Sequence, residues 1–283
     1  MFYYLQAMRP KQWIKNLFVF PGLIFSKNVF HAPMLLLVIA TFFIFSLLSS
    51  AVYLINDIAD RERDQQHPQK KHRPLAAGKI SLKGTILLAI FLTLLSLGSA
   101  FALSLPLGLL ASLYFILMLL YTFYLKHCIL LDVFTIAAGF VIRVAAGTEV
   151  LGIYLSPWLL ICTGFLALFM ALGKRRNELK LLGLQAQTHR QTLDAYTLPL
   201  LDQMIAIVTA ATIVTYSLYT TFQFQQTMTA IATIPFVLYG LFRYLYLIYT
   251  TDAGGSPEEI VLKDRPLQVD ILLWIAISIM LLY

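Results

Sequence analysis

The chain has 283 residues, of which 59% are apolar and only 12% are charged, and its mean hydropathy is +0.78. Soluble domains carry about a quarter charged residues, and a single soluble core stops growing near this length, so the composition excludes a soluble globular protein. It also excludes a disordered chain, and long apolar runs do not match the alternating pattern of a membrane β-barrel. An all-α, polytopic membrane protein with a single domain over residues 1–283 remains.

Basic residues outnumber acidic ones, 21 to 14, which gives a formal net charge of +7. They stand in short segments between apolar runs, as is typical of loops on the cytoplasmic side of a membrane. We therefore attribute the charge to membrane topology and expect no nucleic-acid partner. The basic, aromatic amino-terminal segment lacks a cleavage site, so no cleaved signal peptide is expected. Cys128 and Cys162 lie far apart and predict no disulfide or metal framework.

Nine apolar runs reach or approach the length of about 20 residues that a helix needs to cross the bilayer. Pro21 and Gly22 interrupt the first run, and Lys15 and Lys27 lie near its ends. In chain order the predicted spans are 16–32, 34–55, 84–104, 107–125, 132–152, 156–173, 201–221, 229–250 and 267–283.

Lysine and arginine occupy alternate loops between these spans. They precede the first span and follow the second, fourth, sixth and eighth, whereas the other loops contain Lys27 alone. The positive-inside rule therefore predicts that the amino terminus and the long polar loops face the cytoplasm. A transporter usually needs polar groups near the midplane and access from both faces. Chemistry concentrated at one face favours an enzyme.

An acidic stripe ends the second span. Asn56, Asp57, Asp60 and Asp64 are three or four positions apart, so they share one face if the helix continues through them. Oxygen ligands of this kind suit Mg²⁺ bound together with substrate phosphates, and carboxylates at a membrane boundary need a positive partner. We take Asn56, Asp57 and Asp60 as candidate metal ligands and catalytic residues. The alternative is a solvated helix end that neighbouring arginines neutralise.

Two basic segments are candidate phosphate sites. Lys11 and Lys15 are one helical turn apart near the amino terminus and share a face. Lys70 and Arg73 stand in the loop after the acidic stripe, and arginine can bind a phosphate through two hydrogen bonds. For the loop, the alternative is a purely topological signal.

Arg143 lies about halfway along the fifth span, where a charge is costly and faces a cavity or a partner. We expect it to face a cavity between the helices, near a bound phosphate of the substrate that accepts the transferred group. The alternative is a buried hydrogen bond between helices.

Asn56-Asp57-x-x-Asp60-x-x-x-Asp64, followed by 72–75 (HRPL) and Gly78, resembles the first aspartate-rich motif of the UbiA superfamily of intramembrane prenyltransferases. The resemblance implies nine transmembrane helices around a cytoplasm-facing cavity with a Mg²⁺–diphosphate site. Aromatic prenyltransferases of the superfamily carry a second acidic motif after the sixth span. Here residues 173–179 read GKRRNEL, which offers three adjacent cations and one carboxylate. An anion site is expected there, with a positive-inside anchor as the alternative.

The order of the weaker motifs along the chain is similar to one branch of the superfamily, the decaprenyl-phosphate phosphoribosyltransferases. That resemblance implies transfer of phosphoribose from phosphoribosyl diphosphate to a polyprenyl phosphate at the bacterial inner membrane, with Mg²⁺. Two phosphorylated substrates also require many cations besides the metal, as found here. The implied substrate-binding residues are Lys11, Lys15, Asp64, Lys70, Arg73, Tyr121, Lys126, Arg143, Lys174, Arg175, Arg176 and Glu178.

Two other functions remain open at this point. One is an aromatic prenyltransferase of quinone or haem biosynthesis, which would use the acidic stripe for a prenyl diphosphate. The other is a lipid carrier or flippase with a regulatory metal site, which the scarcity of polar residues in the outward loops disfavours. A homo-oligomer is compatible with all three functions.

Overall fold

The computed structural model describes residues 2–66, 70–182, 195–223, 229–251 and 257–282, and these residues form helices and turns with no β-strand among them. The all-α class is confirmed. The α-helices are α1 (Phe2–Ala7), α2 (Pro21–Phe25), α3 (Ala32–Ala59), α4 (Arg61–Gln66), α5 (Leu82–Leu103), α6 (Leu105–Phe123), α7 (Leu131–Glu149), α8 (Pro157–Leu182), α9 (Leu198–Gln223), α10 (Ile234–Thr250), α11 (Pro257–Lys263) and α12 (Arg265–Leu282).

Eight helices in the described ranges are long and apolar enough to cross a membrane: α3, α5, α6, α7, α8, α9, α12, and α10 with the 3₁₀ turn before it. Six predicted spans meet these helices within a few residues, and the second, 34–55, lies inside the longer α3. The sixth, 156–173, begins next to the start of α8 but ends nine residues before Leu182, where α8 ends. The first predicted span, 16–32, differs. It is divided between a 3₁₀ helix over Pro10–Val19 and the short α2, because Pro21 has no N–H to continue a helix.

Serine side chains cap the helices that follow the acidic stripe. Ser81 accepts a hydrogen bond from the Gly84 N–H at 3.1 Å, and Ser104 accepts one from the Leu107 N–H at 3.2 Å. Ser104 alone separates α5 from α6, so the two helices form a tight hairpin. Both helices turn large apolar side chains outwards, as a lipid-facing surface requires; Leu87 and Leu94 are each 68% exposed.

The amino-terminal 3₁₀ helix lies against α7. A Cβ atom at Gly147 would stand only 1.9 Å from the Val19 carbonyl oxygen, so the close backbone contact needs glycine at this position. Trp13 donates from Nε1 to Ser50 Oγ on α3 at 3.0 Å. The segment is thereby wedged between α3 and α7.

The largest core cluster joins α7, α8, α9 and α10, with Phe169, Leu172, Leu201 and Ile205 almost fully buried. Because the spans alternate in direction, the ends of α3, α6, α8 and α10 meet the beginnings of α5, α7, α9 and α12 at one end of the bundle. This end, named the motif end for the Asp57–Asp64 stripe it carries, holds the candidate site.

Candidate active site

The acidic stripe lies across a helix junction. α3 ends at Ala59 and α4 begins at Arg61, so the single continuous helix considered from sequence is corrected. The backbone spacing nevertheless persists, because the Asp60 N–H donates to the Asn56 carbonyl at 2.9 Å and the Asp64 N–H donates to the Asp60 carbonyl at 2.8 Å. Asp57 and Asp64 are therefore still brought together, while Asp60 turns elsewhere.

Two arginines neutralise Asp57 and Asp64. Arg73 donates from one guanidinium nitrogen to Asp57 Oδ1 at 3.2 Å and to Asp64 Oδ2 at 2.6 Å. Arg9 forms a second ion pair with Asp57 and stacks over the Tyr53 ring, 4.9 Å from its centroid. The basic loop and the amino-terminal segment thus meet on the first acidic residue of the stripe.

Asp57 keeps one unused acceptor. Its Oδ2 atom is buried and has no hydrogen-bond partner among the described residues, and the residue as a whole is only 3% exposed. A buried carboxylate oxygen without a partner is costly and indicates a missing cation or donor. No group of three His, Cys, Asp or Glu side chains in the described ranges is arranged to hold a metal by itself. Mg²⁺ commonly takes one or two carboxylates plus water and phosphate oxygens, so the donor set fits that ion.

Asp60 belongs to a different pair. Lys126 Nζ donates to both of its carboxylate oxygens, at 2.8 and 2.9 Å. Lys126 lies on the 3₁₀ turn Leu125–His127 that follows α6, so this contact ties the end of α3 to the end of α6. Asn56 is half-buried and makes no side-chain hydrogen bond among the described residues.

Lys70, in the basic loop after the acidic stripe, lies near the end of α8. Its ammonium group is within electrostatic range of Arg73, Asp64, Asp60 and Glu178. Burial is the largest effect and lowers the pKa of the Lys70 amine, and the neighbouring Arg73 lowers it further. The stripe, the basic loop and the end of the GKRRNEL segment therefore lie near one another.

Within the GKRRNEL segment, Arg175 is not an accessible cation. It is 1% exposed, its Nε donates to Asp132 Oδ2 at 2.8 Å, and a terminal nitrogen pairs with Glu178. Tyr121 lies within electrostatic range of the same guanidinium. This corrects the expectation that Arg175 offers its charge to a phosphate: it joins the start of α7 to the end of α8.

Asp132 is held from a second direction by Tyr196. The Tyr196 hydroxyl donates to Asp132 Oδ1 at 2.9 Å and accepts from the Leu130 N–H at 3.0 Å. Burial raises the pKa of Tyr196 to about 12, so the phenol remains a donor at neutral pH. Leu130 adopts a positive φ of 65° directly before α7, in a turn closed by the Leu131 N–H and the Ile129 carbonyl.

The Arg176 side chain is also engaged by neighbouring residues. Its Nε donates to Asp202 Oδ1 at 2.6 Å, and its guanidinium stacks 3.9 Å from the centroid of the Tyr249 ring. Tyr249 completes the triangle by donating its hydroxyl to Asp202 at 2.8 Å. These contacts join α8, α9 and α10, and they leave Arg176 partly accessible.

Arg143 is enclosed between helices. It is 5% exposed and donates to Asn16 Oδ1 at 2.6 Å, to the Gly139 carbonyl at 2.8 Å and to the Tyr114 hydroxyl at 2.8 Å. Tyr114 and Phe140 also stack on its guanidinium. The expected cavity-facing role is corrected, since Arg143 makes the interhelical hydrogen bonds that were the alternative.

The sequence profile described as the UbiA prenyltransferase family matches residues 16–258. The chain belongs to this family. It is therefore an integral membrane enzyme of the transferase class. A decaprenyl-phosphate phosphoribosyltransferase of Corynebacterium glutamicum is 34% identical and covers 99% of this chain and 86% of its own. The enzyme of that name from Mycolicibacterium smegmatis is 36% identical, with 96% and 89% covered.

A solved UbiA homologue from Archaeoglobus fulgidus, bound to GPP and Mg²⁺, superposes with a TM-score of 0.75. It is 20% identical, and the match covers 99% of each chain. At this identity the likeness shows the UbiA fold and nothing more about substrates.

Tyr196, Asp202 and Tyr249 are among the residues of this UbiA-family site that the sequence reasoning missed. Asp202 carried a usable signal, because an acidic residue inside a predicted span is costly unless it has a partner. The tyrosines carried none, since they resemble ordinary interfacial aromatic residues. Of the other predicted residues at this end, Lys11 is exposed, and Lys15 and Lys174 are half-buried.

Proposed function

We propose that this UbiA-family enzyme transfers the 5-phosphoribosyl group of phosphoribosyl diphosphate to a polyprenyl phosphate and releases diphosphate. The observation that carries the proposal is the near full-length similarity, at 34–36% identity, to enzymes named decaprenyl-phosphate phosphoribosyltransferase. We place the reaction at the cytoplasmic face of a bacterial inner membrane, because the basic loops cluster at the motif end.

In this proposal Asn56, Asp57 and Asp60 hold Mg²⁺, with Asp64 in support. The unpartnered Oδ2 of Asp57 is the oxygen that favours this assignment. When bound, Mg²⁺ supplies charge neutralisation for the departing diphosphate.

The chain's own cations neutralise the remaining phosphates. Without substrate, Arg9, Arg73 and Lys126 are paired with the acids of the stripe. A phosphate competes for such cations, because it also accepts charge-assisted hydrogen bonds and carries more negative charge than a carboxylate. Lys11, Lys15, Lys70 and Lys174 add charge around the same site. Binding then exchanges internal ion pairs for substrate contacts.

The chemical step needs little from a general base. An anionic oxygen of the acceptor phosphate attacks the anomeric carbon of the ribose, and the bond from that carbon to the diphosphate oxygen breaks. The acceptor oxygen carries no proton at neutral pH, so none has to be removed. Positioning of the two phosphates and charge neutralisation by the site account for catalysis.

The aromatic prenyltransferase remains the second candidate because it shares the fold and the acidic stripe. It is disfavoured by the contacts at the end of α8, where Glu178 and Asp132 are both committed to Arg175. A second metal–diphosphate site would need such carboxylates available.

A donor test separates the two functions. Purified protein in detergent, given Mg²⁺, polyprenyl phosphate and labelled phosphoribosyl diphosphate, is expected to form a lipid-soluble labelled product and free diphosphate. The rival function predicts no such product and instead prenylation of an aromatic acid from a prenyl diphosphate. That outcome with folded, active protein would reject the proposal.

A further inference from the structure

A polar cavity and an apolar groove lie next to each other on the outer side of α3, α5 and α6. The polar cavity, of about 810 Å³, is lined by Asp60, Arg61, Arg63, Lys126 and His127, among others. The apolar groove, of about 240 Å³, is lined by Ile55, Ile86, Ile90, Thr93, Leu94 and Phe115, among others. Ile58 lines both.

The groove faces the lipid. Ile90 is 51% exposed and Leu94 is 68% exposed, and both lie on the outward side of a membrane-spanning helix. From Ile86 to Leu94 the groove follows α5 for about 12 Å, at 1.5 Å of rise per residue. Almost all of its wall is hydrocarbon, so it suits a single extended apolar chain.

The cavity carries more positive than negative charge. Asp60 and Lys126 neutralise each other, whereas Arg61 and Arg63 form no ion pair in the part of the chain that the structure describes. Arg61 Nε is buried and has no hydrogen-bond partner within the described ranges. Glu62, also in the wall, is exposed and offsets one of the two arginines. An anionic headgroup at the membrane boundary would satisfy these donors.

A phosphate bound in the cavity would affect the acidic stripe by competing with Asp60 for Lys126. Lys126 now donates to both oxygens of Asp60. A phosphate monoester carries up to two negative charges at neutral pH and competes with a carboxylate for an ammonium group. Once Lys126 turns to the phosphate, both Asp60 oxygens become available to the stripe.

We propose that the lipid acceptor docks here, with its phosphate at Arg61, Arg63 and Lys126 and the first part of its chain in the α5 groove. The inference rests on the proposed function for the identity of the lipid. A single groove beside a cationic cavity fits a one-chain lipid phosphate better than a two-chain phospholipid, and the contact with Asp60 links acceptor binding to completion of the metal site.

The test uses the full chain in nanodiscs and a polyprenyl phosphate with a photoreactive group on its chain. Crosslinks are expected on α5 and α6 around Ile90 and Phe115. Ile90→Trp should fill the groove and raise the KM for the lipid about tenfold, with the KM for phosphoribosyl diphosphate unchanged. Leu87→Trp is the matched control, since Leu87 is equally lipid-facing on α5 but outside the groove.

Binding of the lipid phosphate in the polar cavity is tested with the double variant Arg61→Gln and Arg63→Gln. The control is Lys79→Gln, which removes an exposed cation outside the cavity. The double variant should weaken capture of the labelled lipid about tenfold or more, because two charge-assisted contacts are lost. Crosslinks elsewhere, equal effects of the two tryptophan variants, or equally good displacement by phosphatidylglycerol would each overturn the inference. If the lipid is captured in the groove but no phosphoribose is transferred, the proposed function fails and the docking site stands.

Discussion

Arg9 and Asp57, 48 positions apart in the sequence, form an ion pair at the motif end of the bundle. Arg9 has a left-handed backbone with φ of 54°, which is unfavourable for a side-chain-bearing residue. The contact holds the amino-terminal segment against α3 in spite of this strain. The same carboxylate also receives Arg73, so Asp57 is the point at which three chain segments converge.

Replacing Asp57 or Asp60 by asparagine should abolish turnover while leaving the protein folded. Each change removes a negative ligand from a Mg²⁺ site that has few protein ligands, so the leaving diphosphate is poorly neutralised. The loss should be a hundredfold or more, on the order of the 3 kcal/mol at the upper end for a charged contact. Transfer rates measured across a Mg²⁺ titration check this.

Glu149→Gln is the control for these variants, because Glu149 is an exposed carboxylate at the opposite end of α7. It should retain full activity. Equal losses in Asp57→Asn and Glu149→Gln would show that the metal site has been assigned to the wrong acids.

Arg73→Gln should weaken donor binding more than folding. Arg73 joins Asp57 to Asp64, and without it the two carboxylates repel each other while a phosphate loses a cation. We expect the KM for phosphoribosyl diphosphate to rise about 10- to 100-fold, from the 1.5–3 kcal/mol of a charged hydrogen bond. Arg73→Lys should recover only part of the loss, because an ammonium can still bridge the two carboxylates but cannot offer a phosphate the two parallel N–H donors of a guanidinium. Full recovery by lysine would contradict this geometry.

Local sequence patterns predicted those parts of the site that depend on the spacing of residues along a helix. Asp57 and Asp64 converge as the i, i+3 and i+4 rule requires, because backbone hydrogen bonds continue across the α3–α4 junction. Apolar run length likewise predicted the long helices. It failed at Pro21, where a run of suitable composition contains a residue that breaks the helix.

The sequence did not show which residue each charged side chain contacts in the folded protein. Arg175 and Asp132 are 43 positions apart, and Arg143 meets Asn16 across 127 positions. Both arginines looked like phosphate ligands because sequence shows a charge but not the helix that packs against it. Such pairings follow from tertiary packing, which a single sequence does not encode in any short pattern.

Arg175→Met should reduce stability rather than donor affinity alone. Removing this guanidinium leaves Asp132, which is 0% exposed, as a buried charge without its cation. Breaking a buried ion pair from one side costs about 3–5 kcal/mol. Thermal unfolding in detergent should show a large drop for Arg175→Met. Arg176→Met should show a smaller one, since its partner Asp202 is 35% exposed on its side chain.

Adding Asp132→Asn to Arg175→Met should recover much of the lost stability. The second change removes the uncompensated charge, and the asparagine oxygen can still accept from Tyr196. If the double variant is no more stable than Arg175→Met, the Arg175–Asp132 pair does not hold α7 to α8 in the way described.

The membrane orientation can be tested with a thiol that the protein already has. Cys128 is exposed beside Lys126 at the motif end, whereas Cys162 is buried and should not react. If the motif end faces the cytoplasm, a membrane-impermeant maleimide should label Cys128 only after the membrane is permeabilised, and Cys128→Ser should abolish that labelling.

The opposite end of the bundle is tested in the Cys128→Ser background. There Tyr154→Cys introduces a thiol at a position that is 76% exposed in the loop between α7 and α8. This thiol should be labelled in intact cells. Labelling of Cys128 in intact cells, or protection of the Tyr154→Cys thiol, would reverse the orientation and place the acidic stripe on the outer face.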